Sequence, residues 1–421
     1  RDNFLQFHKQ FDSNQRPDPA ESTSWGRWGE YADTLLIEAD HLLQVATITR
    51  SQIKHLQAAG ITTMTALAQT KCEHVPHLNP VVFARLVRQA QLQIASVGSE
   101  KPLFEVLPIE PNKKQGLAML PPDSALDVFF DIEGFPLVEG GLEYLWGCTY
   151  FDESGKRQFK DFWAHNEAEE KQAFMAFIHW VYERWQQDPT MHIYHYASYE
   201  ITACRKLMGR YGVCEEEVDQ LLRNEVFVDL YKVVRQGVLI GEPSYSIKNV
   251  EHIYRDARST DVTGGADSVV AYENWRQQPD GDTWQTSEIL NNLRAYNIDD
   301  CDSTQELTEW LRDQQAQHEI AYLGREERVE PEISEELTAK IELRDHLLNA
   351  AQKTKEADPK AATLQENLAW YLEFHRREAK PVFWTLFDRL AMTAEELFDD
   401  AECLALGKRT GKAAFKPTPR A

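Results

Sequence analysis

The stretch DVFFDIEGFP, residues 127–136, constrains this chain more than any other. Val128, Phe129 and Phe130 form an apolar, β-prone run, and such runs end up buried. Within the same strand the sequence then places two acids, Asp131 and Glu133, before Gly134 and Pro136 break the pattern. Side chains of a strand alternate between faces, so both carboxylates project from one face about 7 Å apart along the strand. Two like charges held that way repel unless a cation lies between them, and hard divalent ions take oxygen donors of this kind. An ordinary strand end would also carry acids, so the pair needs support from elsewhere in the chain.

Three runs in close succession read as strands: LDVFFDIE, EYLWGCTYF and RQFKDFWAH, with the last two joined by a turn at Ser154-Gly155-Lys156. An amphipathic helix follows, with Phe174, Phe177, Ile178 and Val181 at helical spacing. MHIYHYA is a fourth strand. SYEITACRKLMGRYG then reads as a helix from a serine cap to Gly212, and VFVDLYKVV as a fifth strand running into a helix. A long helix begins near TSEILNN. This order predicts an α/β fold in which an antiparallel meander joins parallel strands.

Around this core, residues 1–30 read as a polar, loop-rich segment and residues 31–100 as helical. In the latter, NPVVFARLVRQAQLQIAS places Val82, Leu86, Ala90 and Ile94 on one face. The proline-rich residues 101–125 read as a linker, 126–318 as the α/β domain, 319–405 as a helical extension and 406–421 as a basic tail. LQAAGITTMTALAQ resembles a helix-hairpin-helix, with one glycine, Gly60, where that motif has a pair. The aromatic residues Trp25, Trp28, Trp370, Phe374, Phe383 and Trp384 read as core rather than base-stacking platforms.

Two further acids extend the pattern. In AYNIDDCDST, Tyr296 and Asp300 lie four apart and share a helical face. Asp299 and Asp302 leave other registers open. In IYHYASYEITAC, Glu200 opens a helix after the fourth strand, where an acid also complements the helix dipole. Asp229, at the end of VFVD, is an alternative to it.

The 421 residues carry 45 basic and 68 acidic side chains, a formal charge of −23. This argues against a broad basic nucleic-acid surface but leaves room for a local groove around a carboxylate site. The six cysteines form no CxxC pair and fit no zinc template, which suits reduced thiols in a cytoplasmic protein. No apolar run approaches a membrane span, and no signal-peptide pattern opens the chain. The first residue is Arg1 rather than Met, so a fragment of a larger protein is the expectation.

Asp131-x-Glu133, then an acid opening a helix, then Tyr296-x-x-x-Asp300 is an order that resembles the RNase H-like 3′→5′ exonucleases of the DEDD type, tyrosine subclass. HYASYE, FVDLYKVVR, SYSIKNVE, YENW and YNIDDC resemble, more narrowly, the exonuclease-like domain of bacterial RecB-like nuclease proteins. Some of those continue into a superfamily-one helicase. Glu200 stands where that family usually has Asp, which leaves its role open. The RecB-type catalytic motifs and a Walker A sequence are absent here.

The resemblance implies phosphodiester hydrolysis with two Mg²⁺ or Mn²⁺ ions. Asp131 would bridge them, Glu133, Glu200 and Asp300 would complete the sites, and Tyr296 would orient the attacking water. It implies nucleic acid as partner, DNA ahead of RNA, with a linked helicase or RecB-type nuclease domain as further partners and DNA repair as the setting. Lys248, Tyr245 and Arg235 are the candidate substrate contacts. The competing expectation is a non-catalytic nucleic-acid-binding module that scaffolds a larger nuclease or helicase protein.

Overall fold

A computed structural model describes residues 2–12, 18–22, 25–256, 265–324, 335–372 and 374–390, with a few isolated positions from 392 to 404. The chain divides into two compact units, Arg1–Glu326 and Glu327–Ala421.

The first unit opens with helices α1 (Asp2–Gln10), α2 (Gly29–Glu38), α3 (Arg50–Ala58), α4 (Met64–Ala68) and α5 (Pro80–Ser96). Side chains set these boundaries. Thr49 and Gln52 form a reciprocal capping box on α3, and Thr63 caps α4. Asn79 caps α5, with Pro80 at its first position. Gly60 turns the chain between α3 and α4 at φ +85°. Leu42, Ile53, Leu56, Leu67, Val75, Phe83, Leu86 and Ala90 form the core of this region. The buried stripe of α5 therefore runs through Phe83, Leu86 and Ala90. Ile94, expected on it, is exposed, because Gln89 and Gln93 take the buried positions beside it. Gln93 accepts from Ala46 N at 3.0 Å and donates to Gln44 O at 2.8 Å.

The α/β body contains β1 (Phe104–Val106), β2 (Val128–Phe135), β3 (Leu142–Phe151), β4 (Arg157–Trp163), β5 (Ile193–His195), β6 (Phe227–Asp229) and β7 (Val238–Ile240). Its helices are α6 (Glu167–Gln187), α7 (Tyr199–Tyr211), α8 (Glu215–Arg223), α9 (Leu230–Gly237), α10 (Ile247–Val250), α11 (Gly265–Gln277) and α12 (Glu288–Gln317). Five strands form one sheet in the order β4-β3-β2-β5-β6. The meander β2-β3-β4 is antiparallel, while β5 and β6 run parallel to β2. This is the mixed sheet flanked by helices that the sequence order predicts, and it is consistent with an RNase H-like fold.

Helices cover both faces of β2. Phe130 stacks on Phe177 of α6, with ring centres 4.3 Å apart. On the opposite face Phe129 stacks on Tyr194 and Phe135 meets Tyr272 of α11. The pairing of β2 with β3 slips between Glu133 and Gly134, a bulge of the kind that re-aims side chains near functional sites.

Residues 101–125, expected to be a linker, contribute a strand and a buried turn to the body. Strand β1 pairs with β7, and Leu117 and Leu120 are fully buried. Gly116 and Gly237 let the two segments approach closely: a Cβ on Gly116 would lie 2.7 Å from the Gly237 Cα.

The second unit contains α13 (Glu335–Thr354), α14 (Pro359–Leu372) and α15 (Phe374–Leu390), with α13 packed on α14. Ala351, Ala362, Ala369 and Trp384 are buried. Phe374 and Phe383, and Trp28 in the first unit, are exposed rather than core. Among the described residues, no helix is long and apolar enough to cross a membrane. The basic tail at 406–421 lies outside them.

Candidate metal centre

Strand β2 supplies Asp131 and Glu133 on one face, and α12 crosses that face carrying Asp300. One carboxylate oxygen from each of the three lies within 4.8 Å of the others. Asp131 is half-buried, and Glu133 and Asp300 are buried. Burial, reinforced by the Asp300 carboxylate, pushes the Glu133 acid up to about 8. Burial also raises Asp131 above the usual carboxylate range, and Asp300, Glu133 and Glu200 add to it. Asp131 and Glu133 hold onto protons because burial and the neighbouring carboxylates outweigh the groups that favour their charged forms. An all-oxygen donor set of this charge and spacing fits a hard divalent cation.

The neighbouring groups fix the orientation of the acids. Asn297 donates from Nδ2 to Asp131 Oδ2 at 2.7 Å. Its Oδ1 lies where a Cβ of Gly147 would be, 1.7 Å away, so β3 must carry glycine opposite Asp131 for α12 to come this close. Cys301, one turn on, donates its thiol to Gly147 O at 3.2 Å. Ser268 Oγ lies 2.9 Å from Glu133 Oε2 and 2.9 Å from Gly265 O. A hydroxyl has one proton to donate, so a protonated Glu133 suits this arrangement.

Tyr296 is buried beside Asp300, and burial together with that carboxylate keeps its phenol protonated. The Lys248 ammonium sits over the Tyr296 ring, 5.2 Å from its centre. Its charge also opposes the upward shift of Glu133.

The other α12 acids face elsewhere. Asp299 pairs with Arg255 at 2.7 Å. Asp302 accepts from Thr149 Oγ1 at 2.6 Å and pairs with Arg157 at 3.2 Å. Of the registers left open by the sequence, the structure brings Asp300 to the cluster.

Glu200 is buried at the start of α7 but lies outside the three-acid group. Its Oε2 is 3.4 Å from Nδ1 of His195, which is itself fully buried at the end of β5. Burial works to lower the proton affinity of His195, but Glu200 and Asp229 outweigh it and raise it. Burial likewise raises Glu200, and His195 opposes that shift. Glu200 thus acts electrostatically on Asp131 while its carboxylate faces an imidazole 3.4 Å away. Asp229 caps α9, accepting from Tyr231 N at 3.0 Å and Ala197 N at 2.9 Å through one oxygen.

Of the candidate substrate contacts, Lys248 faces the cluster and Arg235 lines a nearby cleft. Tyr245 is core: it is buried and donates to Val238 O at 2.9 Å. The space above Gly134 holds the Tyr199 hydroxyl, which donates to Glu143 at 2.7 Å. Asn297, Ser268, His195 and Gly147 were not singled out by the sequence reading.

A family model of the RNase H superfamily matches residues 128–312, a span that contains every acid of the site. No curated protein and no solved structure matches the chain.

Proposed function

We propose that the chain is a metal-dependent nuclease that hydrolyses phosphodiester bonds, acting as a 3′→5′ exonuclease on single-stranded DNA. The observation that carries this reading is the convergence of Asp131, Glu133 and Asp300 within 4.8 Å, inside the span matched by the RNase H superfamily. The three carboxylates would hold Mg²⁺ or Mn²⁺, and Glu200 would serve a second ion. When bound, such a cation offsets negative charge on the phosphoryl group and acidifies water. Asn297 holds one Asp131 oxygen and leaves the other for the centre. The Tyr296 hydroxyl, kept protonated, donates toward the reacting oxygens and orients the attacking water. Lys248 adds a positive charge facing the phosphate.

The pairing of Glu200 with His195 favours a second reading, a nucleic-acid-binding module without catalysis. The test incubates the chain with oligonucleotides labelled at either end, single- and double-stranded, with Mg²⁺ or Mn²⁺. The exonuclease reading expects a ladder from the 5′-labelled single strand and early release of the label from the 3′-labelled one. Chelation and Asp131→Asn should each lower the rate by roughly a hundredfold or more, the scale of losing a principal electrostatic group. Undiminished cleavage by Asp131→Asn would rule out this site. Absence of cleavage with either ion would leave the binding module ahead.

A further inference from the structure

A cleft of about 530 Å³ lies where the N-terminal helical region meets the α/β body. Thr47 comes from the helical region, Tyr196 follows β5, Tyr231 and Arg235 lie on α9, and Ser244 and Ser246 precede α10. The cleft adjoins the carboxylate centre along the chain. Tyr196 and Ala197 lead into Glu200, and Ile247 on its wall precedes Lys248, which faces Glu133.

Two properties mark the cleft as a binding site. The first is an unbalanced positive charge. Arg235 Nη1 is buried with no hydrogen-bond partner among the described residues. Arg85 of α5 donates to the main-chain oxygen of Arg235, and both guanidiniums oppose the burial-driven rise of the Tyr245 phenol between them. Among the described residues neither arginine has a carboxylate partner, in a chain with 68 acids and a charge of −23. A buried donor without an acceptor is costly, and an anion would relieve that cost. The second is backbone strain. Thr47 and Ala197, both on the cleft wall, are non-glycine residues at φ +70°. Strain of this kind clusters where ligands are clamped.

We propose that this cleft binds the sugar–phosphate backbone of a single-stranded nucleic acid next to the scissile bond. Arg235, backed by Arg85, meets a phosphate. The half-exposed Tyr231 ring offers a face to a base. The helical region thereby supplies one wall of the substrate groove. This rests on the nuclease reading for the class of ligand, but its test does not require cleavage.

The experiment measures fluorescence anisotropy of a labelled oligothymidylate with the full chain in EDTA, at salt from about 50 to 200 mM. Arg235→Gln should weaken binding about five- to twentyfold at low salt and reduce the salt slope by about one. Ser244→Glu places a negative charge at an exposed position on the wall and should weaken binding without touching the core. Thermal melts confirm that both variants fold. Wild-type affinity and slope in both folded variants would overturn the proposal, as would displacement of the oligonucleotide by thymidine monophosphate at equal concentration. Binding with these dependencies but no cleavage with Mn²⁺ would support the cleft and defeat the nuclease reading. Normal cleavage with variants that bind normally would do the reverse.

Discussion

Asn297 does for the centre what the acids cannot do for themselves. Its amide fixes Asp131 by one oxygen, and because it rides on the same helix as Asp300 it ties both acids to one rigid element. Asn297→Ala should lower divalent-cation affinity by about 10- to 100-fold, the range for groups that orient a ligand. Calorimetric titration with Mn²⁺ checks this, and Asn297→Asp should do no better because it adds a fourth repelling charge. The strand period put Asp131 and Glu133 on one face, while the helix period left Asp299, Asp300 and Asp302 open and only the family resemblance singled out Asp300. Asn297 was legible in principle, three residues before Asp300 and four before Cys301, but an amide beside two aspartates carries no signal of its own. Ser268 was not legible: it meets Glu133 across 135 positions of chain. Nor was the hold of His195 on Glu200, since a buried histidine at a strand end reads as core.

At the level of elements, the site depends on how closely α12 approaches β3. Gly147 pairs with Asp131 in the sheet register and leaves the gap that Asn297 enters. Gly147→Ala would force the amide away or the helix outward. The expected cost is about 1–3 kcal/mol of stability, as for overpacking elsewhere, together with weaker cation binding. Denaturant titration and calorimetry on the same variant check the two effects. A change at Gly155, where a Cβ would meet nothing within 4 Å, is the contrasting case for space, though its φ of +75° disfavours other residues. The mixed sheet was legible because three strand-like runs in succession are followed by alternating helix and strand patterns from Val128 onward. The placement of 101–125 was not, because its prolines suggest a connector and only tertiary pairing with β7 makes three of its residues a strand. Tyr245 was expected to touch substrate because its neighbours SYSIK look like a substrate loop; its ring is buried and its hydroxyl reaches Gln89 of α5 and Val238 of β7.

For the whole molecule, the centre makes stability depend on pH. Glu133 titrates at about 8 when folded and near 4.5 as a free carboxyl, so the folded chain binds more protons between those values. Stability without metal therefore falls as pH rises from about 4.5 through 8, the opposite of an acid held by a salt bridge. Melting curves in EDTA should shift downward by several degrees from pH 6 to pH 8. Saturating Mn²⁺ should flatten or reverse that trend, because the cation binds the ionised folded form; at one hundred times Kd it adds about 2.7 kcal/mol. A melting temperature that rises with pH in EDTA would contradict the assignment of Glu133. The pairing of β1 with β7 has a consequence for how such a chain is made. Phe104 leaves the ribosome long before its partner Ile240, and at roughly 5–20 residues per second the delay is on the order of ten seconds. The whole five-strand sheet is synthesised inside that interval. This pairing closes only after the strands bearing Asp131 and Glu133 are complete, so a truncation before β7 would leave an unpaired strand edge free to capture another chain.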